Sequence, residues 1–374
     1  MLKGGMAAIA GLGAASELLS DESRERAGKD KIPLVHIADL YHPPQDPDDH
    51  IDLATVFALE EFCVKGVILD VTQKFLEAAP AGFDISRDPG FVPVAQLAYL
   101  LGRSVPAAAG PSQPLTDPRD DATDRPLHDQ TGMRLLLEIL EDSQDPVVIS
   151  VVGSARVLTA AYNRNPDLVR AKVRSVLLNA GSTAGTRREW NVGLDPAAYI
   201  GLWNSGLPIH WYPCATENGA FDPDHERGTY WKTTHGAIFR DLPHPLRSWF
   251  LYGFTGNRQG DIIRVLAEEG KGGVWENLLP GGRNLWSTAS LVMAAGRTLA
   301  KTSQGWRFVP ASEGATVWPW RQDPIELRVN AEAEVQWQVV ESGGNALLFG
   351  RQKGGHFGEA MAEALNALLA SIPA

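Results

Sequence analysis

From Lys31 onward, short runs rich in Val, Ile and Leu alternate with longer segments whose apolar residues recur at helical spacing. "IPLVHIA" precedes "HIDLATVFALEEF", "GVILDV" precedes "PVAQLAYLLG", and "PVVISVVG" precedes "ARVLTAAYNRNPDLVRAKV". "SVLLNAG", "DPAAYIGLWNSG" and "LPIHWYP" continue the series. Strands that are apolar at successive positions are covered on both faces. The alternation therefore predicts an α/β fold, an open and mostly parallel sheet with helices on both faces. In such sheets a ligand lies in the crevice at the carboxyl ends of the strands. The segment from Ala215 to Gly282 breaks the pattern with many Gly, Pro, His and Trp, and reads as an irregular cap in the late half. Near the end, "AEVQWQVVE" and "NALLFGRQ" read as two strands that pair, and "HFGEAMAEALNALLASI" as a closing helix. No internal repeat and no linker follow residue 30, so residues 31 to 374 read as a single domain.

Composition narrows the function classes. A chain of 374 residues that is 44% hydrophobic can bury a large core. A formal net charge of -11 and a pI near 5.3 argue against nucleic acid polymers, because neutralising phosphates takes clustered Lys and Arg. Beyond the first thirty residues no stretch approaches the ~18 unbroken apolar residues that span a bilayer. Cys63 and Cys214 each lie in an apolar stretch and read as small core residues. The first thirty residues, "MLKGGMAAIAGLGAASELL" followed by "SDESRERAGKDK", are leader-like, yet no Arg pair precedes them and an amphipathic helix reads equally well. Cytoplasmic and exported locations both stay open, as does assembly into a homo-oligomer.

The stretch "DLYHPPQDPDDHIDLATVFAL" sets five aspartates, Asp39, Asp46, Asp48, Asp49 and Asp52, between a strand and a helix. Turn formation and helix capping account for one or two of them, Asp49 and Asp52 in particular. Five together call for open water or a cation, and calcium or magnesium would take such oxygen ligands. His42 and His50 flank the cluster and either contribute to the site or sit as loop histidines, the second reading being favoured. The nine histidines form no HxxxH or HExxH pair, which makes zinc improbable. Neither a G-x-S-x-G, a P-loop nor a dinucleotide fingerprint is present. Among the eleven tryptophans, Trp211, Trp231, Trp249, Trp275 and Trp286 in the late half can either fill core or offer stacking faces.

Three ordered motifs resemble the nucleoside hydrolase family (inosine/uridine-preferring type), calcium-dependent enzymes that cleave the bond between ribose and base. Asp48 and Asp49 stand for the closing pair of that family's "DxDPGxDD", with Asp39 at the strand end and a longer loop between. "VVISVVGSARVLTAAYNRNPDLVRAKVRSVLLNAGS" resembles its "GPLTN", "NPEL" and "MGG" segment through Gly153, Pro166, Asp167, Leu168 and Gly181. "REWNVGLDPAAYIGLWNSGLPI" resembles "EFNxxxDPxAAxxxxxSGxP". The resemblance implies a nucleoside hydrolase-like α/β fold and a metal, calcium, on Asp39, Asp48 and Asp49. It further implies that Asp39 or Asp46 takes the proton of an activated water. Sugar hydroxyls would fall to Asp48, Glu189 and Asn191, joined by Asn179 where the family has Met.

The departures from that pattern bear on metal and activity alike. Arg156 and Val157 replace the family's Thr and Asn beside the metal, and Leu285-Trp286 fall where a His-Asp pair supplies a metal ligand. Asn284 is the neighbouring candidate for an oxygen. These changes point to a divergent member whose calcium site is weakened or lost. The expected activity is hydrolysis of the N-glycosidic bond of a small nucleoside or related glycoside. The alternative is a carbohydrate- or nucleoside-binding protein that kept the fold and lost or changed the reaction.

Overall fold

The strand "IPLVHIA" sends Leu34 and Ala38 to one face of a sheet and Val35 and Ile37 to the other, each into its own buried cluster. That double burial places it in the middle of the molecule. The computed structural model describes residues 31–44, 46–73, 87–185, 189–255, 261–267, 273–311, 316–354 and 356–373. The leader-like segment lies outside the described residues.

Nine strands form the main sheet. They are β1 (Ile32–Ala38), β2 (Phe62–Leu69), β3 (Ala107–Ala109), β4 (Val147–Val151) and β5 (Val173–Leu178). They continue with β6 (Ile209–Trp211), β7 (Trp320–Val329), β8 (Val335–Val339) and β9 (Ala346–Arg351). The order across the sheet is β8-β7-β9-β6-β5-β4-β1-β2-β3. Every neighbour from β9 to β3 is parallel, and β7 is antiparallel to both β8 and β9. The sequence reading paired β8 directly with β9, but β7 lies between them. Its sequence, "WRQDPIELRV", carries an internal proline and charges at half-exposed positions, which hides its alternation.

One face of the sheet is covered by α1 (Asp48–Ala58), α2 (Phe91–Leu100) and the closing helix Phe357–Ala370, which share the larger apolar cluster. The other face is covered by Thr131–Asp142, Arg156–Arg164 and Pro196–Asn204. The single long helix read between β4 and β5 is two, broken at Asn165-Pro166. The Asn165 side chain accepts from Leu168 N and so caps the second, and proline at its first position has no amide to lose. Ala215 to Gly282 holds the short strand Trp231–Thr234, paired with Gly282–Leu285, and helices that pack on the larger cluster.

The chain runs β1, β2, β3 outward on one side and then returns to lay β4 on the other side of β1. The loops leaving β1 and β4 therefore diverge at their carboxyl ends, and that divergence opens a crevice.

Candidate active site

The crevice is built from residues that follow strands. Asp39 is the first residue past β1, Asp70 the first past β2, and Asn179 the first past β5. Gly153, two residues past β4, makes the closest approach. A methyl group there would meet Asp70 Oδ2 at 2.8 Å and Asp39 Oδ1 at 3.1 Å, so only glycine leaves both carboxylates in place.

Above this edge lies a cavity of about 380 Å³. Asp39, Asp46, Asp48, Asp49, Asn179, Glu189 and Asn191 all line it, so the residues singled out in the sequence converge from three separate segments. His42 and His50 do not. His42 stacks on Tyr252, and His50 is buried against Trp249 and Phe254. Asn284 is turned away as well, its Oδ1 accepting from the Tyr230 hydroxyl at 2.8 Å.

Three wall residues are held by specific bonds. Glu189 caps the short helix Trp190–Leu194, accepting from Asn191 N and Val192 N, and reaches across to Gly181 N at 2.8 Å. Asn191 Nδ2 donates to Val152 O and Asn179 O. Asn179 Nδ2 donates to Val151 O and Leu177 O, and its buried Oδ1 finds no partner among the described residues. Both amide donors are thus spent on the backbone. What faces the ligand space is a set of acceptor oxygens, and no Lys or Arg is among the described lining residues. Beneath the floor, Arg156 is fully buried and bonds Asp195 at 2.8 Å and the carbonyls of Val71, Pro111 and Leu194. Asp70 accepts from Ser154 N and Oγ.

Crowding shows in the proton affinities. Burial, reinforced by Asp70, holds the Asp39 carboxyl well above the usual carboxylate range. Asp49 is raised in the same way by burial and by Asp39, and Asp48 by burial and by Asp46. Asp52, buried behind them, is pushed up to about 7, chiefly by desolvation. Desolvation likewise raises Glu189 against the pull of its backbone donors.

Of the rim, sequence reasoning named Trp286 as a possible stacking face and missed its neighbours. Trp190 is 48% exposed and Phe221 64% exposed, and both line the cavity beside Trp286. The Trp286 ring lies 5.3 Å from Tyr230 and 5.7 Å from Phe221, and its Nε1 donates to Ala220 O. Exposed aromatics gathered at a cavity mouth are the available signal, and it exists only once the chain is folded. Trp211, Trp231 and Trp249 are core residues. Cys214, read as core, is buried but also lines the cavity wall.

A pyrimidine-specific ribonucleoside hydrolase, RihA, of Enterobacter sp. (strain 638) is 26% identical over 200 residues, 48% of this chain and 58% of that relative. The chain is similar to the nucleoside hydrolases. The chain thus matches little more than half the length of that relative, and no family model matches it. Among solved structures, a plant nucleoside hydrolase, PpNRh1, superposes with a TM-score of 0.51 at 13% identity over 91% of this chain and 99% of that one. The inosine-uridine preferring nucleoside hydrolase of Bacillus anthracis gives 0.46 at 12% identity over 89% and 99%. The plant likeness shows that this chain has the nucleoside hydrolase fold.

The donor chemistry of the floor suits a hard cation such as calcium, since buried carboxylates that repel one another gain from a shared positive charge. Among the described residues, however, no group of three His, Cys, Asp or Glu side chains is gathered as a ready ligand set. Trp286 occupies the rim in the region where the resemblance calls for a further carboxylate. The residues fit the ion in kind but do not form a closed cage around it.

Proposed function

We propose that this nucleoside hydrolase relative cleaves the N-glycosidic bond of a ribonucleoside or a related glycoside. The observation that supports it most is the division of the cavity into a floor of acceptor oxygens and a rim of aromatic faces. A ribosyl unit brings hydroxyl donors to the floor, and a planar leaving group lies against the rim. A phosphorylated ligand would meet like charge, with no Lys or Arg among the described wall residues to offset it.

The reaction passes through a transition state with positive charge on the sugar, which the carboxylates stabilise without rearranging. Asp39 takes the proton of the attacking water, because its burial and its neighbours raise its affinity for a proton. Asp48 and Asn179 Oδ1 accept from sugar hydroxyls. Glu189 and Asn191, fixed by the backbone, complete the ring of acceptors. A calcium ion, held by Asp39, Asp48 and Asp49, would supply further acidity to a water.

The test is release of free base from uridine and inosine, followed chromatographically. Asp39→Asn should lower the rate by roughly 10²- to 10⁴-fold, the usual contribution of a positioned base, with the fold intact by circular dichroism. Turnover at the wild-type rate in that variant would remove Asp39 from the mechanism. A second reading, binding without turnover, is favoured by one observation, the indole of Trp286 where a carboxylate is expected; wild-type protein that binds uridine but releases no base would establish it.

A further inference from the structure

Among the described residues, Asp46 is the acidic group of the cavity that has a cation beside it. Arg283, from the strand Gly282–Leu285 of the cap, reaches across 237 positions of sequence to place Nη1 2.8 Å from Asp46 Oδ1. The Arg283 side chain is 15% exposed and that of Asp46 39%, so the pair sits at the rim, partly out of water. Arg283 is itself held from behind, its Nε donating to His235 Nε2 at 3.2 Å. His235 Nδ1 lies 3.0 Å from Leu278 O, which accepts and can only be matched by an Nδ1–H. A ring that donates from Nδ1 and accepts at Nε2 is the neutral tautomer, and it fixes the direction of the guanidinium.

An ordinary surface ion pair has two mobile ends and contributes little. Here one end is anchored to the backbone through His235, and the other lines the ligand cavity. Asp46 Oδ1 is also within 3.4 Å of Asp48 N, so fixing Asp46 orients the start of α1, which carries Asp48 and Asp49.

We infer that Arg283 is a positioning residue of the cavity: anchored through His235, it fixes Asp46 at the rim as an acceptor for a hydroxyl of the bound ligand. The inference rests on the reading of the cavity as a glycoside site and adds to it a part of the cap that holds the site in shape. It also divides the roles of the two candidate bases. A carboxylate held by a guanidinium has one oxygen engaged, which suits Asp46 for binding and leaves proton transfer to Asp39.

A double-mutant cycle tests it, with uridine and D-ribose affinities measured by calorimetry in wild type, Arg283→Ala, Asp46→Asn and the double variant, and free base assayed in the same samples. Arg283→Ala should weaken uridine binding about tenfold, the scale of a charge-assisted hydrogen bond, and lose nothing further when added to Asp46→Asn. Guanidinium ion at a non-denaturing concentration should restore affinity to Arg283→Ala, and sodium chloride at the same ionic strength should not. Wild-type affinity in Arg283→Ala, or losses that add in the double variant, would overturn the inference. Uridine bound by wild type but not cleaved would overturn the hydrolytic reading and leave the role of Arg283 to be decided by the cycle. A wild-type chain that binds neither uridine nor ribose would overturn both.

Discussion

Trp286 is where the chemistry of this chain departs from the pattern it resembles. The sequence already marks the place, since "GGRNLWSTASLVMAAG" puts an indole where the resemblance asks for an aspartate, but not the consequence. Its ring is half-buried rather than enclosed, resting on Phe221 and Tyr230 and bonded to Ala220 O, so it serves the rim more than the core. Trp286→Asp should therefore destabilise by only about 1 to 3 kcal/mol, less than loss of a fully packed aromatic would cost. It should also raise calcium affinity, read by calorimetric titration, by returning a charged oxygen to the cavity that Asp49 lines. A variant that loses stability and gains no affinity would place the missing ligand elsewhere. Asn284 is then a poor substitute, because its Oδ1 is taken by Tyr230. Asp70 and Arg283 were not legible at this scale. Asp70 reads as the end of an apolar strand, and Arg283 reads as one basic residue in a Gly-rich turn, until folding sets each against a distant partner.

At the scale of elements, the parts that sequence could reveal are those with a strict period. β1 and the closing helix fall where the pattern puts them, because one is apolar at nearly every position and the other repeats at helical spacing. β7 escaped because its internal Pro324 and its charges suit an antiparallel position near the sheet edge. The short helix Trp190–Leu194 shows how an element and a site residue are tied together. With five residues it cannot stand on propensity, and Glu189 holds its first turn while binding Gly181 across the crevice. Glu189→Ala removes an acceptor from three backbone amides. It should lower stability by about 1 to 3 kcal/mol in chemical denaturation, and uridine binding should fall with it. Unchanged stability in this variant would show that water replaces the carboxylate at no cost, and the capping role would be withdrawn.

At the scale of the whole molecule, the acidic floor sets how stability depends on pH. Asp39, Asp48, Asp49, Asp70 and Glu189 all hold protons more tightly in the fold than free carboxyls do, and Asp52 does so up to about 7. A group whose affinity is raised by folding adds stability that is complete at low pH and is lost as pH rises through its folded value. Buried histidines act in the opposite sense. His36 is lowered to about 4 and His50 to about 3 by burial, so they cost stability as pH falls below 6.5, where the unfolded chain takes up protons that the fold refuses. The histidine cost is already reduced at pH 6.5, where about half of the unfolded imidazoles are neutral, and is gone by about pH 8, so above pH 6.5 the more numerous carboxylates set the direction. The melting temperature measured in chelator should therefore fall between pH 6.5 and pH 8.5. Millimolar calcium should recover part of that loss at pH 8.5 and much less at pH 6.5, because a cation offsets charges that are present only after the protons leave. A melting temperature that stays level or rises over this window would mean that the carboxylates are already ionised at pH 6.5, and that Arg283 and Arg156 neutralise the floor more fully than its burial suggests.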